Sequence, residues 1–160
     1  MIQNPRLLKK IHEGYAFSAS VRFESISDSG MLYFENPSGS GRTVYIAVIE
    51  VVSLAQAWVD IYRGNTVTAS GTSVQPVNLN FGKDIQSVVH AEVQGTYTLG
   101  KLVKPTVCPG GTKKRVVGGA VEVGESVVIP PDSNFLVRVT NKSGATIDIA
   151  VEVLWWEEPL

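Results

Sequence analysis

Residues Thr43 to Val52 read TVYIAVIEVV, and this stretch constrains the fold more than any other. Eight of the ten are apolar or aromatic, and many are β-branched. Branching at Cβ suits the pleated surface of a sheet, so the run predicts a strand buried on both faces. The turn-rich segment Asn36-Pro37-Ser38-Gly39-Ser40-Gly41-Arg42 leads into it, and a second apolar run, Ala57 to Tyr62, follows almost at once. The rest of the chain has to be organised around these two strands.

A chain of 160 residues can bury one sizeable core. Hydrophobic residues make up 44% and charged residues 18%, a balance that argues against disorder. The 15 glycines and 8 prolines fall between the apolar runs, where they act as turn punctuation. Fourteen basic and fifteen acidic side chains leave a formal charge of −1. Such a chain has no electrostatic footprint for nucleic acid or acidic lipid. Cys108 is the only cysteine, so no intramolecular disulfide is possible and the fold must rest on its core. Met1 to Arg6 lacks the long apolar region of a signal peptide, and Val44 to Val59 is too short and too polar to span a bilayer. The expectation is a soluble protein made in the cytosol, with no membrane partner.

The pattern divides the chain in two. Residues 1–14 carry a short helical stripe, with Leu7, Leu8 and Ile11 on one side. A helix this short is marginal in water and needs a partner surface, on its own domain or on a neighbour. The reading adopted is an extended N-terminal arm that acts outside its own domain. From Tyr15 the period becomes two. Phe17, Ala19, Val21 and Phe23 alternate with polar residues, as do Phe135, Val137 and Val139, and then Ile147, Ile149, Val151, Val153 and Trp155. Arg63 to Thr66 reads as a tight hairpin turn, and Val88 to Val93 and Thr96 to Leu99 as strands beside a Gly95 turn. Lys101 to Gly119, rich in glycine and proline, reads as a long loop or an extended excursion. The sum is roughly eight to ten strands. Residues 15–160 are therefore expected to form a single all-β domain, a jelly-roll-like antiparallel β-sandwich.

No constellation of residues points to catalysis. Ser38 to Thr43 imitates a phosphate loop, but Asn36 stands where the first glycine is required, Arg42 replaces the lysine, and a strand follows where the motif needs a helix. His12, His90 and Cys108 are scattered singly, without metal-ligand spacing. Cys108 has no base implied by spacing and reads as a packed residue. Glu157 and Glu158 read as a solvated tail. The cluster Lys113-Lys114-Arg115 in the glycine-rich loop is a candidate contact for an acidic partner, or a solvated loop. Trp155 falls on the apolar face of the last strand. Trp156 then points the other way and is a candidate interface residue. No catalytic residue, metal or cofactor is expected.

Phe34-Glu35-Asn36-Pro37-Ser38-Gly39-Ser40-Gly41-Arg42-Thr43-Val44-Tyr45-Ile46 resembles a signature of tailed-bacteriophage structural proteins. So does the end, where an alternating strand closes on Trp155-Trp156-Glu157-Glu158-Pro159. The resemblance covers most of Arg22 to Pro159, excluding the 101–119 stretch, and is to the jelly-roll head decoration proteins, which cement capsids, including those of phages from thermophilic hosts. It implies a non-enzymatic virion protein on the outer capsid surface, a homotrimer whose partners are its own copies and the major capsid protein. The contact residues then expected are Leu7, Leu8, Ile11, Lys113, Lys114, Arg115 and Trp156. The alternatives are a carbohydrate- or receptor-binding jelly roll from a phage tail fibre, for which Trp58, Trp155 and Trp156 could stack on sugar, and an enzyme on the same fold.

Overall fold

The computed structural model of the protein describes residues 4–109, 114–117 and 127–160. Among them the chain forms one helix, α1 (Pro5–Glu13), followed by strands: β1 (Ala16–Ile26), β2 (Ser29–Asn36), β3 (Arg42–Ser53), β4 (Ala57–Arg63), β5 (Thr66–Ala69), β6 (Thr72–Val74), β7 (Val77–Asn78), β8 (His90–Val93), β9 (Thr96–Thr98), β10 (Lys101–Cys108), β11 (Lys114–Val117), β12 (Val127–Ile129), β13 (Ser133–Asn141) and β14 (Ile147–Pro159). One sheet has the order β11-β3-β14-β1-β7, with β12 also paired to β3. The other runs β10-β4-β13-β2-β8-β6, and β5 and β9 make a separate two-stranded ribbon. The two large sheets pack face to face as an all-β, jelly-roll-like antiparallel sandwich.

Alternation places the core. On β14, Ile149, Val151, Val153 and Trp155 face inward opposite Phe17, Ala19 and Phe23 of β1. On the second sheet, Leu32 and Phe34 of β2 and Phe135, Val137 and Val139 of β13 do the same. Trp155 ties the layers together. Its ring stacks on Phe17, with centroids 6.1 Å apart, and meets Phe34 of the opposite sheet edge-on at 4.9 Å. Aromatic rings crossing between sheets give the core directional contacts beyond area burial. Cys108 is fully buried in the same core, as its sequence context suggested.

Several sequence expectations give way here. Strand β3 is not buried on both faces. Val44, Ile46, Ile49 and Val51 enter the core, while Tyr45, Val48, Glu50 and Val52 are half-buried on the outer side. Of the two readings of 101–119, the long loop gives way to extended chain at 101–108 and 114–117. Lys101 to Cys108 is a strand on the edge of the second sheet, paired to β4, and Lys114 to Val117 pairs with β3 in the first sheet. The chain crosses between layers here, and its proline survives because β10 is an edge strand. Residues 63–66 turn, with Gly64 at φ +69°, but they do not close a hairpin. Strand β4 lies between β10 and β13, whereas β5 pairs with β9. Asn65 redirects the chain: its backbone N–H donates to Asn134 Oδ1 at 2.8 Å, and Asn134 Nδ2 donates back to Asn65 O at 3.0 Å. Likewise β8 and β9, either side of Gly95, belong to different sheets.

The N-terminal segment is a helix laid on its own domain. Asn4 caps it by accepting from the N–H groups of Arg6 and Leu7, Pro5 occupies its first turn, and Gly14 ends it at φ +88°. Leu7 and Ile11 pack with Tyr45, Leu79 and Leu154 on the buried residues Ala16, Ala47 and Trp156. Asn80 Nδ2 donates to His12 O at 3.1 Å, and Asn78 Nδ2 to Gly14 O at 3.0 Å. Residues 5–13 thus have a partner surface within the chain, on the outer face of the first sheet, in place of the extended arm read from sequence.

Candidate functional surfaces

Of the residues expected to form a contact surface, Leu7, Ile11 and Trp156 come together within the chain itself. Trp156 is 3% exposed, stacked on Tyr45 at 5.4 Å and covered by α1, so it serves as the seat of the helix. The alternation argument was right that it points away from the core. The helix takes up the surface that this direction made available. Leu7 and Ile11 face the same seat, and Leu8 remains exposed on the helix. Lys114 and Arg115 lie on β11, opposite Val52 and Val51 of β3, in a strand rather than a loop. Lys113 lies outside the described residues.

Exposed apolar side chains stand elsewhere. Trp58 on β4, Leu102, Val103 and Val107 on β10, and Val127 and Val128 on β12 are between 41% and 53% exposed. Leu102 stands opposite Tyr62, so it shares the outer face of the second sheet with Trp58 and Val107, whereas Val128, opposite Tyr45, is on the outer face of the first sheet. Strand β10 is the edge of the second sheet, and β12 runs along the outer margin of β3 in the first. Val107 sits opposite Trp58 across the β10–β4 ladder. Lys142 Nζ lies 4.1 Å from the centre of the Trp58 ring, a cation held over an aromatic face.

Two buried carboxylates form the main polar clusters. Glu157, read from sequence as part of a solvated tail, has no exposed surface. Its carboxylate accepts from Arg42 Nη1 at 2.8 Å, Trp155 Nε1 at 2.9 Å, the Val88 N–H at 3.3 Å, and Ser87 Oγ. Arg42 also donates to Gln86 O at 2.8 Å and stands over the Tyr15 ring at 5.1 Å. The group clamps the 79–89 loop to the end of β14. The signal was present in the sequence: the alternation through Ile149, Val151, Val153 and Trp155 places position 157 inward.

Glu92 is 2% exposed and accepts from three directions: the Gly71 N–H at 2.6 Å, the Tyr97 hydroxyl at 2.8 Å and His90 Nε2 at 2.9 Å. Burial by itself pushes this carboxyl up, but the bonds from His90, Gly71 and Tyr97 outweigh it and hold the group below the usual carboxylate range. Tyr97 is pushed up to about 12 by burial and by its bond to Glu92. Tyr33, stacked on Tyr97 at 5.5 Å and donating to Glu35 Oε2 at 2.6 Å, is also raised, chiefly by burial. A histidine beside a carboxylate is half of an acid–base pair, but here the carboxylate is saturated with donors from its own fold. Among the described residues no three His, Cys, Asp or Glu side chains converge as metal ligands, and no helix is long and apolar enough to cross a membrane. Comparison with known proteins finds no protein-family model that matches the chain and no curated protein that matches it.

Proposed function

We propose that the protein is a virion structural protein that decorates and stabilises the outer surface of a phage head, seated on the major capsid protein as a homotrimer. The observation that carries this reading is the exposed apolar side chains of Trp58, Leu102 and Val107, which share the outer face of the second sheet at its β10 edge. A monomer's largest exposed apolar patch is roughly 300–600 Å² and is often functional. Exposed apolar residues on the outer face of a sheet edge suit a protein that works through buried area and multivalency. Such a role needs neither a catalytic centre nor a cofactor. The resemblance of Phe34–Ile46 and Trp155–Pro159 to head decoration proteins adds the partner and the location. The runner-up, a carbohydrate- or receptor-binding module of a tail fibre, draws on Trp58 alone, since Trp155 and Trp156 are buried.

The test is to mix the purified protein with phage heads lacking decoration and to pellet the heads. Saturable co-sedimentation, lost in Leu102→Glu with Val103→Glu, supports the reading. A protein that stays in the supernatant and binds oligosaccharide through Trp58 replaces it with the runner-up.

A further inference from the structure

Phe81 stands 91% exposed at the tip of the turn formed by residues 80–83. A lone exposed apolar residue is ordinary. What sets this one apart is how firmly its turn is held. The Lys83 N–H donates to Asn80 O at 3.0 Å and the Gly82 N–H to Asn80 Oδ1 at 3.0 Å, which closes the turn on itself. Asn78 braces the base: its Oδ1 accepts from the Asn80 N–H at 2.9 Å, and its Nδ2 donates to Ile85 O at 3.0 Å. The same Nδ2 donates to Gly14 O, and Asn80 Nδ2 donates to His12 O, so the turn is tied to the C-terminal end of α1. Lys83 lies against that end too, its Cγ 2.9 Å from where a Cβ on Gly14 would stand. The phenyl ring belongs to neither core cluster and adds nothing to the packing of its own domain. Carried on a fixed backbone, it has the properties of an interface anchor, because little ordering is left to do on binding.

The charges around it are mostly of one sign. Arg6 and Lys9 are exposed on α1 and Lys83 on the turn, and against them stands Asp84. Glu13 is taken up by Lys10 at 3.2 Å, whereas among the described residues no acidic group lies within ion-pair distance of Arg6, Lys9 or Lys83. At 1.5 Å per residue, Lys9 and Arg6 lie about 5 and 9 Å along the helix from His12, the residue that Asn80 holds. Charges act over about 8–10 Å at ordinary ionic strength, so a formal charge of −1 for the whole chain does not cancel this local excess. The surface also stands apart from the one on β4 and β10. Strand β10 adjoins β3 and β11, whereas β7, which leads into the turn, is at the opposite edge of the first sheet.

We propose that Phe81, with Lys83 and the exposed cations of α1, is the surface by which the protein seats on its target, and that the target presents an acidic protein surface with an apolar socket for one phenyl ring. This rests on the capsid reading and goes beyond it: copies meet through β4 and β10, and the opposite side of the sandwich meets the capsid. A decorating protein needs two such surfaces that can be occupied at once. The cations steer and orient the encounter, and the ring supplies the buried contact that holds it.

The test is co-sedimentation with undecorated phage heads, read as a dissociation constant, beside sedimentation equilibrium of the same samples. Phe81→Ala removes a side chain that packs on nothing, so the fold is kept. Binding to heads is expected to weaken about thirtyfold, the loss typical of an aromatic hot spot, with the mass in solution unchanged. Lys9→Glu with Lys83→Glu is expected to weaken binding about tenfold at low salt and to flatten its salt dependence. Heads that bind Phe81→Ala as tightly as the unaltered protein overturn this inference and leave the capsid reading standing. Heads that bind neither protein overturn both. A lower mass for Phe81→Ala would assign the ring to the contact between copies, and binding to anionic phospholipid vesicles that is lost in Phe81→Ala would assign it to a lipid surface. Either result overturns the proposal.

Discussion

Replacing Glu157 with glutamine separates the solvated-tail reading from the structure with little change of shape. The best placement keeps the amide oxygen on Ser87 and Trp155 Nε1 and turns the amide nitrogen toward Arg42 and the Val88 N–H. The variant loses one charge-assisted bond in a buried site and leaves one backbone donor facing another. Arg42 limits the damage, since it is 21% exposed and retains Gln86 O. A bond to a charged group is worth about 1.5–3 kcal/mol, and a stranded buried donor adds about 1 kcal/mol or more, so the expected loss is about 3 kcal/mol. For a chain of this size that lowers Tm by about 6–12 °C. Thermal unfolding followed by circular dichroism at neutral pH measures it directly. A fall of less than about 2 °C would refute the reasoning, because it would mean that the Glu157 carboxylate is hydrated in solution.

Substituting Leu7 and Ile11 together with alanine removes the half-buried face of α1, at about 1 kcal/mol each. Helical ellipticity should fall and Trp156 should become accessible to acrylamide, while Trp155 and the sandwich remain intact; unchanged quenching would show that the helix is held in some other way. Gly71→Ala forces backbone apart at Val93 and should destabilise the protein by roughly 1–3 kcal/mol in a chemical denaturation series. An unchanged midpoint would mean that the close approach of the two chains is not kept in solution.

Elements whose fate depends on their own pattern were legible in the sequence. Period two in β1, β13 and β14 gave the sandwich, the core aromatic Trp155 and the outward direction of Trp156. Pairing partners were not legible. Whether Arg63 to Thr66 closes a hairpin depends on Asn134, sixty-nine residues away from Asn65, and no local rule conveys that. The glycine and proline around Lys101 to Cys108 left a long loop and an extended excursion undecided, yet an edge strand tolerates Pro105. The charged end of β14 was discounted because glutamate is usually exposed. Its burial follows from Arg42, Ser87 and Trp155 converging on one point from three separate segments. The cluster at Glu92 was equally hidden, since its donors come from positions 71, 90 and 97, on a turn and two strands.

The proposal at the centre is a homotrimer whose copies meet through the exposed apolar residues of β4 and β10. Sedimentation equilibrium at micromolar concentration measures it most directly, on the protein and on the variant Leu102→Glu with Val103→Glu. The account predicts a mass three times the 17.3 kDa of the chain for the protein and the mass of a single chain for the folded variant. A single-chain mass for the unaltered protein, or a trimer that survives both substitutions, would contradict it.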